Sequence, residues 1–166
     1  MSRYNFYMAK CNKDGEVVRD ETTQKMVYKN LMVDFEGLVY SQCSGLETIG
    51  AAKNIYVEDY ADSNKTRVYI GNPITNKPTT IKLVLFFTGE KRSKVRNDFN
   101  EFIRHGYTKY WDDARKRLLH FYVSKELPVG EEKWNGSLPY LKCEYQLENI
   151  SGYTDVVENN PFIEHT

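Results

Sequence analysis

The sequence predicts an α+β fold that is mainly β: a β-sandwich or barrel of short antiparallel strands with one packed α-helix at about residues 90–104. Short runs rich in β-branched and aromatic residues recur between Gly, Asn and Asp turn signals. One segment carries an apolar stripe at the helical period. The 166 residues show no internal repeat and no alternation of strands with helices, which favours a single domain over residues 1–155.

The first half of the chain is predicted to consist of short strands. Residues 3–11 alternate loosely as a strand, and the Asp14-Gly15 turn signal leads into a returning strand or an extended arm within residues 10–30. Residues 31–46 form a second strand-like run, in which Gly37 predicts a bulge or bend. Two further short strands are predicted at residues 53–60 and 66–71.

The strongest strand signal lies at residues 79–89, TTIKLVLFFTG. Both of its faces are apolar, which predicts a central strand that is covered on both sides. One face carries Ile81, Leu83, Leu85 and Phe87, and the other carries Val84 and Phe86.

The helix follows directly. Its core face is predicted from the spacing i, i+4, i+7 and i+8 of Val95, Phe99, Phe102 and Ile103. Gly106, after His105, is placed to end it in a left-handed conformation.

The last third is predicted to hold a hairpin, a loop and a long strand. Residues 107–113 and 118–127 flank the turn ARKR. A loop at 128–139 precedes an alternating strand at 140–150, and the tail 156–166 is polar and predicted to be loose.

Basic and aromatic side chains follow one another from the start of the helix into the hairpin, as they do on some nucleic-acid-binding surfaces. They are the candidate partner or subunit contacts: Lys91, Arg92, Lys94, Arg96, Tyr107, Tyr110 and Trp111. The general rule that charge lines the face opposite the core favours a solvated helix face. The aromatic residues are expected in the core or in a subunit interface. With 23 basic and 23 acidic residues, the chain lacks the basic excess of a dedicated nucleic-acid-binding domain.

No catalytic, cofactor or metal constellation is predicted. Asp112 and Asp113 are adjacent on a strand and therefore point to opposite faces. The histidines His105, His120 and His165 are far apart, and the cysteines Cys11, Cys43 and Cys143 have neither metal-ligand spacing nor an even number. We therefore expect a protein that is not an enzyme, made in a reducing cytoplasm, with no secretory signal and no membrane span.

The order of elements from residue 79 onward resembles the N-terminal domain of phage distal tail proteins and the related phage tail-tube family. The matching segments are TTIKLVLFFTG, EKRSKVRNDFNEFIRHG, YTKYWDDARKRLLHFYVSKEL and YLKCEYQLEN, and MVDFEGLVYSQCSGL is similar to the first strands of that family. The resemblance implies a structural virion protein whose identical subunits, as a hexamer, close into a ring around the tail channel.

The resemblance also implies where such a protein acts. Its partners would be further copies of itself and neighbouring tail or baseplate proteins, with nucleic acid present only as DNA passing through the channel. It would be made in the bacterial cytoplasm from a phage or prophage and reside in the virion tail or in a tail-like injection machine. The length leaves no room for a second, carbohydrate-binding domain, which favours a ring or tube subunit over a host-recognition protein. The alternative is a small nucleic-acid-binding module that uses the basic helix and its adjacent aromatics.

Overall fold

The computed structural model describes residues 5–46, 50, 55–59, 66–70, 76–123, 125–152 and 154–163. The α+β, mainly β class is confirmed. The strands are β1 (Phe6–Cys11), β2 (Lys29–Asn30), β3 (Leu38–Ser44), β4 (Ile55–Asp59), β5 (Thr66–Ile70), β6 (Thr79–Thr88), β7 (Tyr107–Asp112), β8 (Arg117–Val123), β9 (Glu131–Asn135), β10 (Leu138–Asn149) and β11 (Asp155–Val156). The helices are α1 (Leu31–Asp34) and α2 (Arg92–Arg104).

Nine of these strands form one antiparallel sheet in the order β2-β1-β7-β8-β10-β6-β3, with β9 beside β10 and β11 beside β8. Strands β4 and β5 pair with each other as a separate hairpin. Within the described ranges, no ladder joins β2 to β3, so the sheet is open and does not close into a barrel.

The sheet bends where β8 meets β10, because these strands pair only from Leu147–Val123 to Asn149–Phe121. Side chains from both sides of the bend belong to one core cluster. Across that core, the rings of Phe6 on β1 and Tyr40 on β3 lie 5.2 Å apart. The two parts of the sheet therefore pack face to face, which is the arrangement of a sandwich.

Strand β6 has the predicted two-sided character. It lies between β10 and β3, and its four core-facing side chains are fully buried: Ile81, Leu83, Leu85 and Phe87. On the opposite face, Val84 is buried and Phe86 is half-buried.

Helix α2 covers the core as its apolar stripe predicts. Val95, Phe99 and Ile103 are buried, and Phe102 is half-buried at the edge of the cluster. Phe99 meets the rings of Phe35, Phe87 and Tyr145 at centroid distances of 5.5, 6.0 and 5.2 Å. Gly106 follows the helix with φ +73°, a conformation that glycine adopts without steric cost.

The prediction of one strand-like run over residues 31–46 was wrong in its first part, where the short helix α1 lies. Asn30 caps this helix: its Oδ1 accepts from the Met32 amide at 3.2 Å, while the Asn30 amide donates to Asp34 Oδ2 at 2.8 Å. Such a reciprocal pair satisfies two amides at the helix start and outweighs the apolar strand signal. The bulge lies between Tyr40 and Gln42, and Gly37 forms the turn before β3.

The prediction of a loop over residues 128–139 was also wrong in part. Residues 131–135 form β9, which pairs with β10, and the turn that joins the two strands contains Asn135-Gly136. Asn-Gly is a hairpin signal, and the charged residues before it concealed the strand. Residues 12–28, which we call the arm, fold back along β1 through the bridge Cys11–Val17, and the arm then turns on itself through the bridge Arg19–Met26.

The C-terminal segment is packed, in contrast to the loose tail expected after residue 155. Strand β11 pairs with β8, and Phe162 is buried against Ala9 and Trp111. Phe162 is the most buried side chain of a segment in which polar and apolar residues are mixed. Residues 164–166, with His165, lie outside the described residues.

Candidate assembly site

The basic residues of α2 divide into two kinds. Arg92 donates to Glu132 Oε1 at 2.6 Å and to the Gly89 carbonyl at 3.1 Å. Arg96 donates to the Val129 carbonyl and, at 2.7 Å, to Asn97 Oδ1. These two arginines hold the segment before β9 and β9 itself against the helix, so their charge is already used within the chain.

Lys91 and Lys94 remain exposed, and Lys91 occupies the N-cap position without a side-chain capping bond. Two lysines at the end of one helix are a small positive patch. They do not form the continuous stripe that a phosphate backbone requires.

The aromatic residues proposed as partner contacts lie mostly inside the chain. Tyr110 and Trp111 are 1% and 2% exposed, so neither offers a stacking surface, and their interpretation as contacts to a partner is corrected. Tyr110 packs on Phe6, and Trp111 donates its Nε1 proton to the Val157 carbonyl at 3.0 Å. Tyr107 is half-buried beside the rings of His120 and Tyr122.

The ionisable residues that the sequence analysis considered lie in different places. Asp112 Oδ1 accepts from the Arg115 amide at 3.0 Å and shapes the β7–β8 turn, whereas Asp113 pairs with Lys116 at 2.7 Å. His105 caps the end of α2, and His120 lies on β8. Among the described residues, no three metal-ligating side chains converge.

All three cysteines are free and buried. Burial raises the pKa of Cys11 to about 11 and that of Cys43 to about 12, and it also raises the pKa of Cys143. Since the thiolate is the reactive form, these thiols are unreactive at neutral pH.

Exposed apolar side chains gather at the β9–β10 hairpin. Val129, Trp134 and Leu138 are 73%, 64% and 69% exposed, and we call them the hairpin apolar cluster. An open groove of about 530 Å³ adjoins Leu138 and lies between the hairpin and the residues before α2. Sequence reasoning missed this surface because it interpreted the segment as a loop, although an Asn-Gly turn between apolar residues was a usable signal.

Of the hairpin apolar cluster, Leu138 shares the outer face of this sheet with Tyr140 and Phe86, whereas Trp134, which pairs with Pro139, lies on the opposite face. Phe86 lies opposite Val39 in the β3–β6 register, and the Phe86 and Tyr140 rings are 5.1 Å apart. Val39 is 41% exposed. The charged residues Lys82, Lys142 and Glu144 lie on this face, and an exposed apolar area with a polar rim is typical of a protein–protein interaction site.

We call the strands β9-β10-β6-β3 the front sheet. The row Glu132, Leu141, Phe87 and Leu38 crosses all four strands in register. In the part of the chain that the structure describes, β3 forms a ladder only with β6, and β9 only with β10, so the front sheet has one free edge strand at each side. One carbonyl of β3, that of Cys43, accepts from Arg115 Nη1 at 2.9 Å. A free edge carries unpaired amide and carbonyl groups that can pair with another strand.

Among the described residues, no helix has the length and apolar character needed to cross a bilayer. Comparison with protein-family models gives no match for this chain, and neither does comparison with curated proteins.

Proposed function

We propose that the chain is a structural subunit of a phage tail or a tail-like injection machine, either a tail-tube or a distal tail protein, whose copies close into a ring around the tail channel. The observation that carries the proposal is the pair of free edges on the front sheet. Neighbouring tail proteins would contact the faces of that ring, and the ring would be hexameric, as the family resemblance implies.

Strand direction supports a head-to-tail arrangement. All neighbours in the front sheet are antiparallel, so its four strands alternate in direction and β3 runs opposite to β9. If β9 of one copy is placed beside β3 of the next, the junction is again antiparallel. Repeating this contact consumes both edges of every copy, and a head-to-tail contact with a suitable rotation closes into a ring.

Side-chain exposure supports the same contact. Val39 lies on β3 and Trp134 lies on β9, and each is a large exposed apolar residue on an edge strand. Exposed Trp in a partly apolar surface is typical of interface anchors. A neighbouring copy would cover both residues.

The experiment uses one edge variant for each side. Val39→Lys places a charge on β3, and Trp134→Lys places one on β9; lysine on an edge strand opposes strand pairing. Val33→Lys and Val18→Lys are matched controls, because both valines are exposed and lie outside the front sheet and the hairpin apolar cluster. Light scattering coupled to size exclusion, across a concentration series, measures the mass, and negative-stain images show the shape.

We expect wild type and both controls to form rings with a central channel, and each edge variant alone to stay monomeric. A mixture of the two edge variants retains one intact junction, so it is expected to form dimers. Dimers of Trp134→Lys alone would instead indicate a two-fold β3–β3 contact. Wild-type protein that is strictly monomeric at high concentration and binds single-stranded DNA in a salt-dependent way would overturn the proposal in favour of the nucleic-acid-binding module.

A further inference from the structure

Residues 154–163, which we call the strap, lie in a groove between the arm and strands β7 and β8. The strap begins at Thr154, whose Oγ1 donates to the Leu46 carbonyl at 2.7 Å. It then pairs with β8 through two residue pairs, Asp155–Leu118 and Val156–Arg117. Such a short ladder contributes few backbone hydrogen bonds, so side chains must hold the rest of the strap.

Side-chain and backbone contacts both hold it. The Trp111 indole donates to the Val157 carbonyl, and a further backbone bond runs from the Val157 amide to the Lys116 carbonyl at 2.9 Å. Farther on, Phe162 is 3% exposed and its ring stacks on Tyr28 of the arm at a centroid distance of 6.0 Å. The neighbouring Ile163 and the earlier Val156 are exposed, so Phe162 is the principal apolar anchor.

The groove is not fully occupied around this anchor. An open cavity of about 550 Å³ adjoins Phe162 and Pro161 and extends to Val17, Met26 and Lys109. Interiors normally pack without space for many water molecules, so the seat of the strap resembles a binding groove more than a core.

The charges of the two surfaces are complementary. The strap carries Asp155 and Glu158 and has no basic residue between positions 154 and 163. The groove is bordered by Arg117 on β8, by Arg19 on the arm and by Lys116 in the turn before β8, which pairs with Asp113. Lys109 and Glu16 line the adjoining cavity, so basic residues are in excess. Complementary charge of this kind guides a segment to its site from a distance, whether the segment comes from the same chain or from another.

We propose that this groove is a subunit-linking site, occupied in the assembled protein by the strap of a second copy. This inference rests on the proposed ring-forming function. An exchanged strap makes the same contacts as the strap of its own chain, so exchange costs little beyond association. Within a ring, the neighbouring strap is present at a high effective concentration, and the ten residues of an extended strap span about 33 Å.

The test uses the Val156–Arg117 pair, because directly opposed residues of antiparallel strands have Cα atoms about 4.5–5.5 Å apart, within the range of a disulfide. Arg117→Cys protein is mixed with Val156→Cys protein under mild oxidation, at the concentration at which the wild type assembles. A disulfide between residues 117 and 156, identified by mass spectrometry, then forms only if a strap has entered the groove of another copy.

The double variant Arg117→Cys/Val156→Cys is the positive control for a strap seated in its own chain. Val33→Cys mixed with Val156→Cys is the control for random collision, since Val33 is exposed on α1 away from the groove. At about 10 µM protein, a seated thiol meets its partner at millimolar effective concentration, so we expect the 117–156 disulfide to form at least about a hundredfold faster than the control disulfide.

A second substitution shows whether Phe162 anchors the exchanged strap. Phe162→Ala in the Val156→Cys copy is expected to lower the yield of the interchain disulfide several-fold, whereas Ile163→Ala leaves it unchanged.

A mixture that forms no 117–156 disulfide, while the double variant oxidises within its own chain, overturns the inference. If rings form without this disulfide, the proposed function stands and only the strap exchange is contradicted. If the disulfide forms in dimers and no rings appear, the strap exchange stands and the proposed ring is contradicted.

Discussion

Tyr145 on β10 donates its hydroxyl proton to Asn100 Oδ1 on α2 at 2.6 Å. The same Asn100 donates through Nδ2 to the Pro128 carbonyl at 3.0 Å. One amide side chain therefore joins the central strand, the helix and the segment that leads into β9. This arrangement fixes the position of the hairpin apolar cluster relative to the core.

Replacing Asn100 should destabilise the fold because it leaves the hydroxyl of Tyr145 without its acceptor. Tyr145 is 1% exposed, so we expect Asn100→Leu to lower the free energy of unfolding by about 1–3 kcal/mol, the cost of an unsatisfied buried polar group. In the double variant with Tyr145→Phe, part of that loss should be recovered because both partners are then apolar. Urea denaturation measures all four proteins, and strictly additive effects would contradict the coupling.

The two phenylalanines of the helix stripe should differ in their contribution to stability. Phe99 is fully buried among three aromatic rings, so Phe99→Ala is expected to cost about 3–5 kcal/mol. Phe102 is half-buried, and the Lys10 and Lys29 ammonium groups lie 5.8 and 5.7 Å from its ring centroid. Phe102→Ala should cost clearly less in the same urea experiment, and equal losses would show that both residues belong to the core equally.

The predicted elements that the structure confirms are those whose sequence pattern matches their burial. Strand β6 and helix α2 have apolar periods of two and of about 3.6 residues, and the buried side chains follow these periods. Helix α1 could not be predicted in this way, since its four residues include only one buried side chain and depend on the Asn30 cap. Strand β9 was hidden because its sequence, EEKWN, begins with three consecutive charged residues and has no buried face.

The candidate site was predicted less well than the fold. Composition drew attention to the basic residues of α2, yet Arg92 and Arg96 bind β9 and the segment before it. A sequence does not reveal whether a charge has an internal partner, because that partner lies about 30–40 residues away along the chain. The burial of Trp111 likewise depends on the strap, whose Val157 lies 46 residues farther along the chain.

Stability should fall as the pH is lowered, through the titration of His120. Burial, followed by the nearby Lys109 charge, lowers the pKa of His120 below its ordinary value of 6.5. The unfolded chain therefore binds a proton more readily, so the stabilising contribution is complete above pH 6.5 and is lost as the pH falls towards the folded-state pKa. Urea denaturation at pH 7.5, 6.5 and 5.5 measures this loss.

The control for the pH effect is His120→Gln, which keeps a polar side chain of similar length but does not titrate. Its free energy of unfolding should change less between pH 7.5 and 5.5 than that of the wild type. The carboxylates whose pKa is lowered, Asp20 and Glu131, titrate at lower pH and contribute little in this window. Identical pH profiles for wild type and variant would contradict the role of His120.

The charges of α2 separate the proposed function from the nucleic-acid-binding alternative. Lys91→Glu/Lys94→Glu reverses the two exposed charges, and since neither residue is buried we expect the free energy of unfolding to change by less than about 0.5 kcal/mol. Arg96→Ala should cost more, because it removes the donor that holds the Val129 carbonyl.

A nucleic-acid-binding module would instead lose its affinity on charge reversal at Arg92 and Lys94, and the logarithm of the wild-type affinity would fall linearly with the logarithm of the salt concentration. A titration with single-stranded DNA at two salt concentrations, with Lys125→Glu as the control for an exposed lysine elsewhere, is therefore expected to show no salt-dependent binding by any of these proteins.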